Sequence, residues 1–204
     1  MHYAPPMNSD FIESQNMPFY LGGAELNVAS ALAKWDIPVK YGTAMPSHFL
    51  TDTIISDLAK KNIDTSAIQF SGHRIGCFYL ATGLDMKSAG VVYDRDNSSF
   101  ASIQKGSIDW KEVLKDVHWF HFSAISAALT QNATDVCEEA LIAATELGIP
   151  ISVDLNYRAK LWQYGKTPIE VMTRLVKYCT VLMGNLWAVE EMLGINSTIK
   201  SSEG

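Results

Sequence analysis

Apolar positions along this chain follow two alternating rhythms. Small and apolar residues from 24 to 33 recur with a helical period. Residues 49–62 do so again, with Ile54, Ile55, Leu58 and Ala59 on one stripe. Residues 38–44 between them read as a short strand. Further on, 119–123, 149–155 and 181–183 are apolar enough for strands, and a helix opens at 130–133, passes through Leu141 and Ala144 and stops at Gly148, a good C-cap. Strands separated by helices of this length predict an α/β fold with a mostly parallel sheet and helices on both faces.

One region breaks the rhythm. Residues 74–80 and 90–94 are strand-like, with only turn material (Thr82-Gly83-Leu84-Asp85) between them. That predicts an antiparallel excursion. The opening segment, to Tyr20, is non-helical and rich in Pro and Asn. Residues 1–21 and 74–101 are therefore expected to form a small β lid, inserted in one α/β core made of 22–73 and 102–204. No internal repeat, low-complexity tract or clear linker interrupts the chain.

Size and charge narrow the function. The chain has 204 residues, 48% of them hydrophobic and 19% charged, an ordinary balance for a packed domain. A net charge of −6 with no Lys/Arg run argues against a nucleic-acid partner. Cys77, Cys137 and Cys179 share no short spacing, and neither a signal peptide nor a membrane-length apolar run is evident. A reduced, cytoplasmic protein with its thiols in the core is the expectation.

Several strings can carry chemistry. Gly22-Gly23 runs straight into the first helix. Two glycines admit backbone angles closed to other residues and leave room for a ligand. The helix start supplies N–H groups and a positive dipole end, and Asn27 supplies donor and acceptor atoms. Alternation along 91–95 puts Tyr93 and Arg95 on one face, where a phenol and a guanidinium fork suit a carboxylate; an exposed strand with surface ion pairs is the plainer alternative. Asp154, Asn156 and Arg158 alternate just past the end of a strand, where open α/β sheets bind ligands. A helix cap with a surface partner is the alternative there. Tyr79 can stand above a ligand or pack the sheet, and Ile125 can wall a pocket or fill the core. His118 and His121 lie three apart on a strand and face opposite sides, so no shared metal ion is expected.

Taken together, Gly-Gly-Ala-Glu-x-Asn, Arg-Ile-Gly-x-x-Tyr, Val-Tyr-Asp-Arg, Trp-Phe-His-Phe-Ser-x-Ile and Asp-Leu-Asn-Tyr-Arg-x-Lys-Leu-Trp span nearly the whole chain. They resemble the ribokinase-like (pfkB-type) carbohydrate kinases, and within them the 2-keto-3-deoxygluconate kinases. The resemblance implies a ribokinase-like fold with a β lid and ATP-dependent phosphorylation of 2-keto-3-deoxygluconate to its 6-phosphate, with magnesium. It implies substrate contacts from Gly23, Asn27, Tyr79, Tyr93, Arg95, Ile125 and Arg158, with Tyr79 and Tyr93 closing over the sugar chain. It places Asn156 and Asn185 toward the nucleotide phosphates and suggests a homodimer paired through the lid.

The resemblance is incomplete. The family's catalytic aspartate belongs to a Gly-Ala-Gly-Asp string that this sequence does not contain, so no catalytic residue and no metal ligand is assigned. By that comparison the chain looks clipped at both ends, with the nucleotide-binding half missing and the fragment inactive. Ala188 stands where many members carry a magnesium-serving Glu, with Glu190 and Glu191 close by. Two rivals remain: a fructokinase or ribokinase, and a non-catalytic sugar-binding module.

Overall fold

The structure is a computed structural model that describes residues 1–6, 11, 16–81 and 90–196. In chain order it forms β1 (His2–Tyr3), β2 (Phe19–Tyr20), α1 (Ala24–Lys34), β3 (Val39–Lys40), β4 (Thr43–Met45), α2 (Phe49–Lys60), β5 (Ile63–Asp64), β6 (Ile68–Phe70), β7 (Cys77–Leu80) and β8 (Val91–Asp94). It continues with α3 (Trp110–Val113), β9 (Phe120–Ser123), α4 (Ala124–Ala127), α5 (Gln131–Glu146), β10 (Ile151–Asp154), α6 (Pro168–Leu175), β11 (Val181–Met183) and α7 (Leu186–Leu193). Short 3-10 turns cover Ala159–Leu161 and Val176–Tyr178. The Thr82-Gly83-Leu84-Asp85 turn lies outside the described residues.

The chain divides into two compact units, Met1–Ile103 and Gln104–Gly204. In the first, Leu26, Ala29, Ala33, Met45, Ile54, Leu58, Ile63 and Ile68 are buried together, so α1 and α2 pack their apolar stripes with the short strands. In the second, α5 buries Val136, Ala140, Leu141, Ala143 and Ala144. Leu141 and Ala144 share a cluster with Ile151 and Val153 of β10 and with Val171, Met172 and Leu175 of α6. Gly148 follows α5 with a left-handed φ of 70°, as the C-cap reading requires.

Every helix–strand alternation read from the sequence is present, but the parallel strands do not form one sheet. β9, β10 and β11 make a three-stranded parallel sheet in the order β11-β10-β9, while β3 pairs with β5 and β4 with β6, each in parallel. Residues 38–44 are two strands rather than one. Gly42 interrupts them, and the segments on either side of it pair with different partners.

The excursion from this pattern is a four-stranded mixed sheet in the order β2-β1-β7-β8. β7 and β8 are antiparallel, and β1 runs parallel to β7 and antiparallel to β2. Short opening strands and a later hairpin-like pair thus build one sheet from two distant parts of the chain.

Candidate functional site

Register in the mixed sheet decides which side chains can share a ligand. His2 stands opposite both Tyr20 and Phe78, and Phe78 stands opposite Tyr93. Directly opposed residues project from the same face, so Tyr20, His2, Phe78 and Tyr93 form one row across four strands. Their rings touch in sequence: His2 stacks on Tyr20 at 5.0 Å and on Phe78 at 5.1 Å, and Phe78 lies 6.1 Å from Tyr93. Arg95 closes the row. Its guanidinium sits 5.1 Å from the Tyr93 ring centre and 5.6 Å from that of Phe78. Tyr93 and Arg95 therefore share a face, as alternation predicts.

Tyr79 does not join them. It pairs with Tyr3 on one side and Val92 on the other, and Tyr3 pairs with Phe19. This opposite face carries its own ring contacts, Tyr3–Tyr79 at 5.4 Å and Tyr3–Phe19 at 6.3 Å. The expectation that Tyr79 and Tyr93 close together over one ligand is corrected here: the period-two pleat sends them to opposite sides. Phe78, one residue earlier, is the aromatic partner of Tyr93. Sequence reading passed over Phe78 and His2 because their significance comes from strand pairing, and the signal that could have found Phe78 is its position level with Tyr93 across a hairpin.

The Arg95 face also meets the Gly-Gly turn. A Cβ placed on Gly22 would lie 3.5 Å from His2 Nδ1 and 3.8 Å from Asn27 Oδ1. His2 and Asn27 thus border the same space above Gly22. Of the two purposes expected of the glycines, special angles and room, only room is seen. Gly23 is extended at φ 161°, ψ 152°, and neither Gly22 nor Gly23 is among the left-handed glycines. Their contribution is clearance, not special angles. α1 itself is distinctive: six other α-helices have an N-cap side chain that accepts a backbone N–H, whereas Gly23 offers none. Asn27 N–H is satisfied by Gly23 O at 2.9 Å, and the Asn27 side chain is exposed. Gly23, Asn27, Tyr93 and Arg95 therefore belong to one neighbourhood with His2 and Phe78.

Electrostatics at this edge centre on Arg74 and Asp94, which form a charge-assisted bond. The Arg74 guanidinium holds the Asp94 carboxyl below its usual range. Burial, aided by the neighbouring Asp94 charge, pushes the Cys77 thiol up, and Cys77 Sγ donates to Asp94 Oδ2 at 3.6 Å. Burial lowers His2, which favours the neutral imidazole.

The second unit carries the remaining candidates. β9 ends at Ser123, whose hydroxyl caps α4 by accepting Ile125 N–H at 3.2 Å, leaving Ile125 half-buried in the first turn. β10 ends at Asp154. Its carboxylate accepts Asn156 N–H at 3.2 Å, a local turn that stops the strand's alternation. Asp154, Asn156 and Arg158 are therefore not three alternating strand positions, which corrects that expectation. Arg158 is exposed and donates to its neighbour's carbonyl, Tyr157 O, at 2.8 Å. Tyr157 packs edge-on against Trp187 at 4.9 Å, and burial together with the Glu191 charge raises its phenol. Asn185 caps α7 by accepting Ala188 N–H at 2.8 Å, so its carbonyl oxygen is committed to the helix start. Ala188 is 3% exposed.

His121 is a structural residue: its Nδ1 shares the Ser152 hydroxyl, 2.9 Å away, with Trp119 Nε1 at 2.8 Å. Among the described residues no group of three His, Cys, Asp or Glu side chains is placed to hold a metal ion, and none of their helices is long and apolar enough to cross a membrane.

Comparison with known proteins identifies the family and the fold. A family model described as the pfkB family carbohydrate kinase matches residues 4–203. Among solved structures, the 2-dehydro-3-deoxygluconokinase of Thermotoga maritima superposes with a TM-score of 0.90 at 34% identity, covering 97% of this chain and 60% of that one. A pfkB family carbohydrate kinase of Listeria grayi superposes with a TM-score of 0.87 at 29% identity, covering 98% of this chain and 62% of that one. Among curated proteins, a 2-dehydro-3-deoxygalactonokinase of Haloferax volcanii is 26% identical over 159 residues, 78% of this chain. The chain spans 50% of that relative's length.

Proposed function

The chain belongs to the pfkB family of carbohydrate kinases, with the ribokinase-like α/β fold, and from that premise we propose that the protein phosphorylates a sugar acid, 2-keto-3-deoxygluconate, on its terminal hydroxyl at the expense of ATP. The observation that carries this reading is the Arg95 guanidinium lying over Tyr93 and Phe78, on the face that borders Gly22 and Asn27. The planar fork of a guanidinium matches the two oxygens of a carboxylate in two parallel bonds. A neutral hexose or pentose has no group that needs this. Asn27 and the uncapped amides of α1 suit the hydroxyls and the keto oxygen.

Arg158, Ile125, Asn156 and Asn185 are assigned from the second unit, Arg158 to the acid, Ile125 to the sugar chain and the two asparagines to the nucleotide side. Asn185 would serve there through its amide nitrogen, since its oxygen already accepts a backbone N–H at the start of α7. Magnesium is the expected companion of ATP. Position 188 offers it a buried methyl in place of the carboxylate that many family members carry. We place the protein in the cytoplasm.

The deciding experiment is a phosphorylation assay on the native gene product with ATP, comparing 2-keto-3-deoxygluconate with fructose and ribose. Transfer to the acid is the expected result, and turnover of fructose with none of the acid would overturn it. Ala188 favours a second reading, a sugar-binding module without turnover. Calorimetric binding of the acid with no phosphoryl transfer would select it.

A further inference from the structure

The proposed chemistry leaves Arg74 without a task, yet this side chain spans the turn that carries Arg95. From the segment before β7 its guanidinium reaches the end of β8. Nη2 donates to the Asp94 carboxylate and, at 3.4 Å, to the Asp94 main-chain carbonyl; Nη1 donates to the Asp96 carbonyl at 3.2 Å. Those two carbonyls belong to the residues immediately before and after Arg95. The same turn is closed from within. Arg95 O accepts Ser98 N–H at 3.1 Å, and Arg74 O accepts both Ser99 N–H at 2.9 Å and the Ser99 hydroxyl at 3.2 Å. Gly76 lets the main chain run close to the Arg95 stem, since a Cβ there would lie 3.6 Å from Arg95 Cγ and 3.2 Å from Ser98 Oγ.

We propose that Arg74 is a positioning residue: by holding the main chain on both sides of Arg95 it sets the direction of that guanidinium and thereby the preference for a carboxylate-bearing substrate. The proposal rests on the reading that Arg95 meets the acid end. A planar fork is required, because three acceptors at different angles are engaged at once. Lysine would keep the ion pair with Asp94 and lose the grip on the two carbonyls.

The test uses the native gene product with ATP and two substrates, 2-keto-3-deoxygluconate and its uncharged methyl ester. Misdirecting a positioned group is costly, so Arg74→Ala is expected to raise the KM for the acid about tenfold. The KM for the ester and the KM for ATP stay unchanged. Arg74→Lys should behave like Arg74→Ala, and it carries the test if Arg74→Ala fails to fold. Parallel losses on acid and ester, or full activity in Arg74→Lys, would overturn the role of Arg74 while leaving Arg95 in place. A wild-type protein that treats acid and ester alike overturns the Arg95 reading, and this proposal with it.

Discussion

Phe78 and Tyr93 face each other across an antiparallel pair, 6.1 Å apart, and the Arg95 guanidinium rests over both rings. A partly desolvated cation–π contact contributes about 1 kcal/mol, roughly a fivefold change in an equilibrium constant. Phe78→Leu should therefore weaken binding of the sugar acid by about fivefold, read by calorimetry. Tyr79→Leu, on the other face, should leave it unchanged. Equal losses from both would show that the two faces do not have separate roles.

The other face carries exposed apolar side chains. Phe19 is 51% exposed, Tyr79 36% and Val92 64%, an apolar strip on a sheet that ends in the edge strand β8. The homodimer expected from the family resemblance would pair through this strip, since exposed sheet edges and apolar faces invite a partner. Val92→Lys should convert a dimer to a monomer in sedimentation analysis without weakening substrate binding. A wild-type protein that sediments as a monomer refutes the assignment.

Acid should loosen the Arg95 turn. Arg74 holds the Asp94 carboxyl below its ordinary value, so the folded state favours the ionised form. For a carboxyl depressed in this way, the stabilisation is complete above the unfolded value and disappears as the pH falls through the folded one. Affinity for the acid substrate's carboxylate should thus decline below about pH 4. Asp94→Asn should be weaker than wild type at pH 7 and lose that part of the pH dependence. An Asp94→Asn profile superimposable on wild type would contradict the link.

Cys179 should be slow to react. Burial pushes the Cys179 thiol up to about 11, and its Sγ donates to Leu175 O at 3.7 Å. At pH 8 its reactive thiolate is then about one part in a thousand, so iodoacetamide should label it far more slowly than a free thiol. Mass spectrometry of the alkylated native protein checks this, and fast modification at Cys179 would count against its burial.

The core of the second unit is sensitive to volume. Leu141 is 0% exposed and packs among Ile151, Val153 and Leu175. Leu141→Ala should cost about 3 kcal/mol in denaturant unfolding, because a buried site refills only in part. A loss well under 1 kcal/mol would mean the site collapses freely.

Much of this molecule is legible in its sequence, and the exceptions have physical causes. Helix α5 is announced by Thr130, whose hydroxyl accepts Ala133 N–H, and by Gly148 at its end. Local capping chemistry of that kind is written within a few residues. The Tyr93–Arg95 face follows from pleating alone. What a one-dimensional pattern does not carry is register between strands far apart in the chain. His2 meets Phe78 across 76 positions, so neither the role of His2 nor the exchange of Tyr79 for Phe78 can be read from spacing. The break at Gly42 shows the same gap, because the apolar run continues while the pairing partner changes. Arg74 was quoted within a motif, yet its grip on two carbonyls depends on a turn that only the folded chain displays.

The mixed sheet is therefore a two-sided card, with the cation side distinguished from the plain aromatic side by a single residue of alignment. Inserting or deleting one amino acid within β7 or β8 would turn Phe78 or Tyr93 over to the reverse while leaving length, composition and hydrophobicity almost untouched. Variation among such sheets should accordingly concentrate in the connecting turns and spare the strands, because their parity determines which side chains share the Arg95 face.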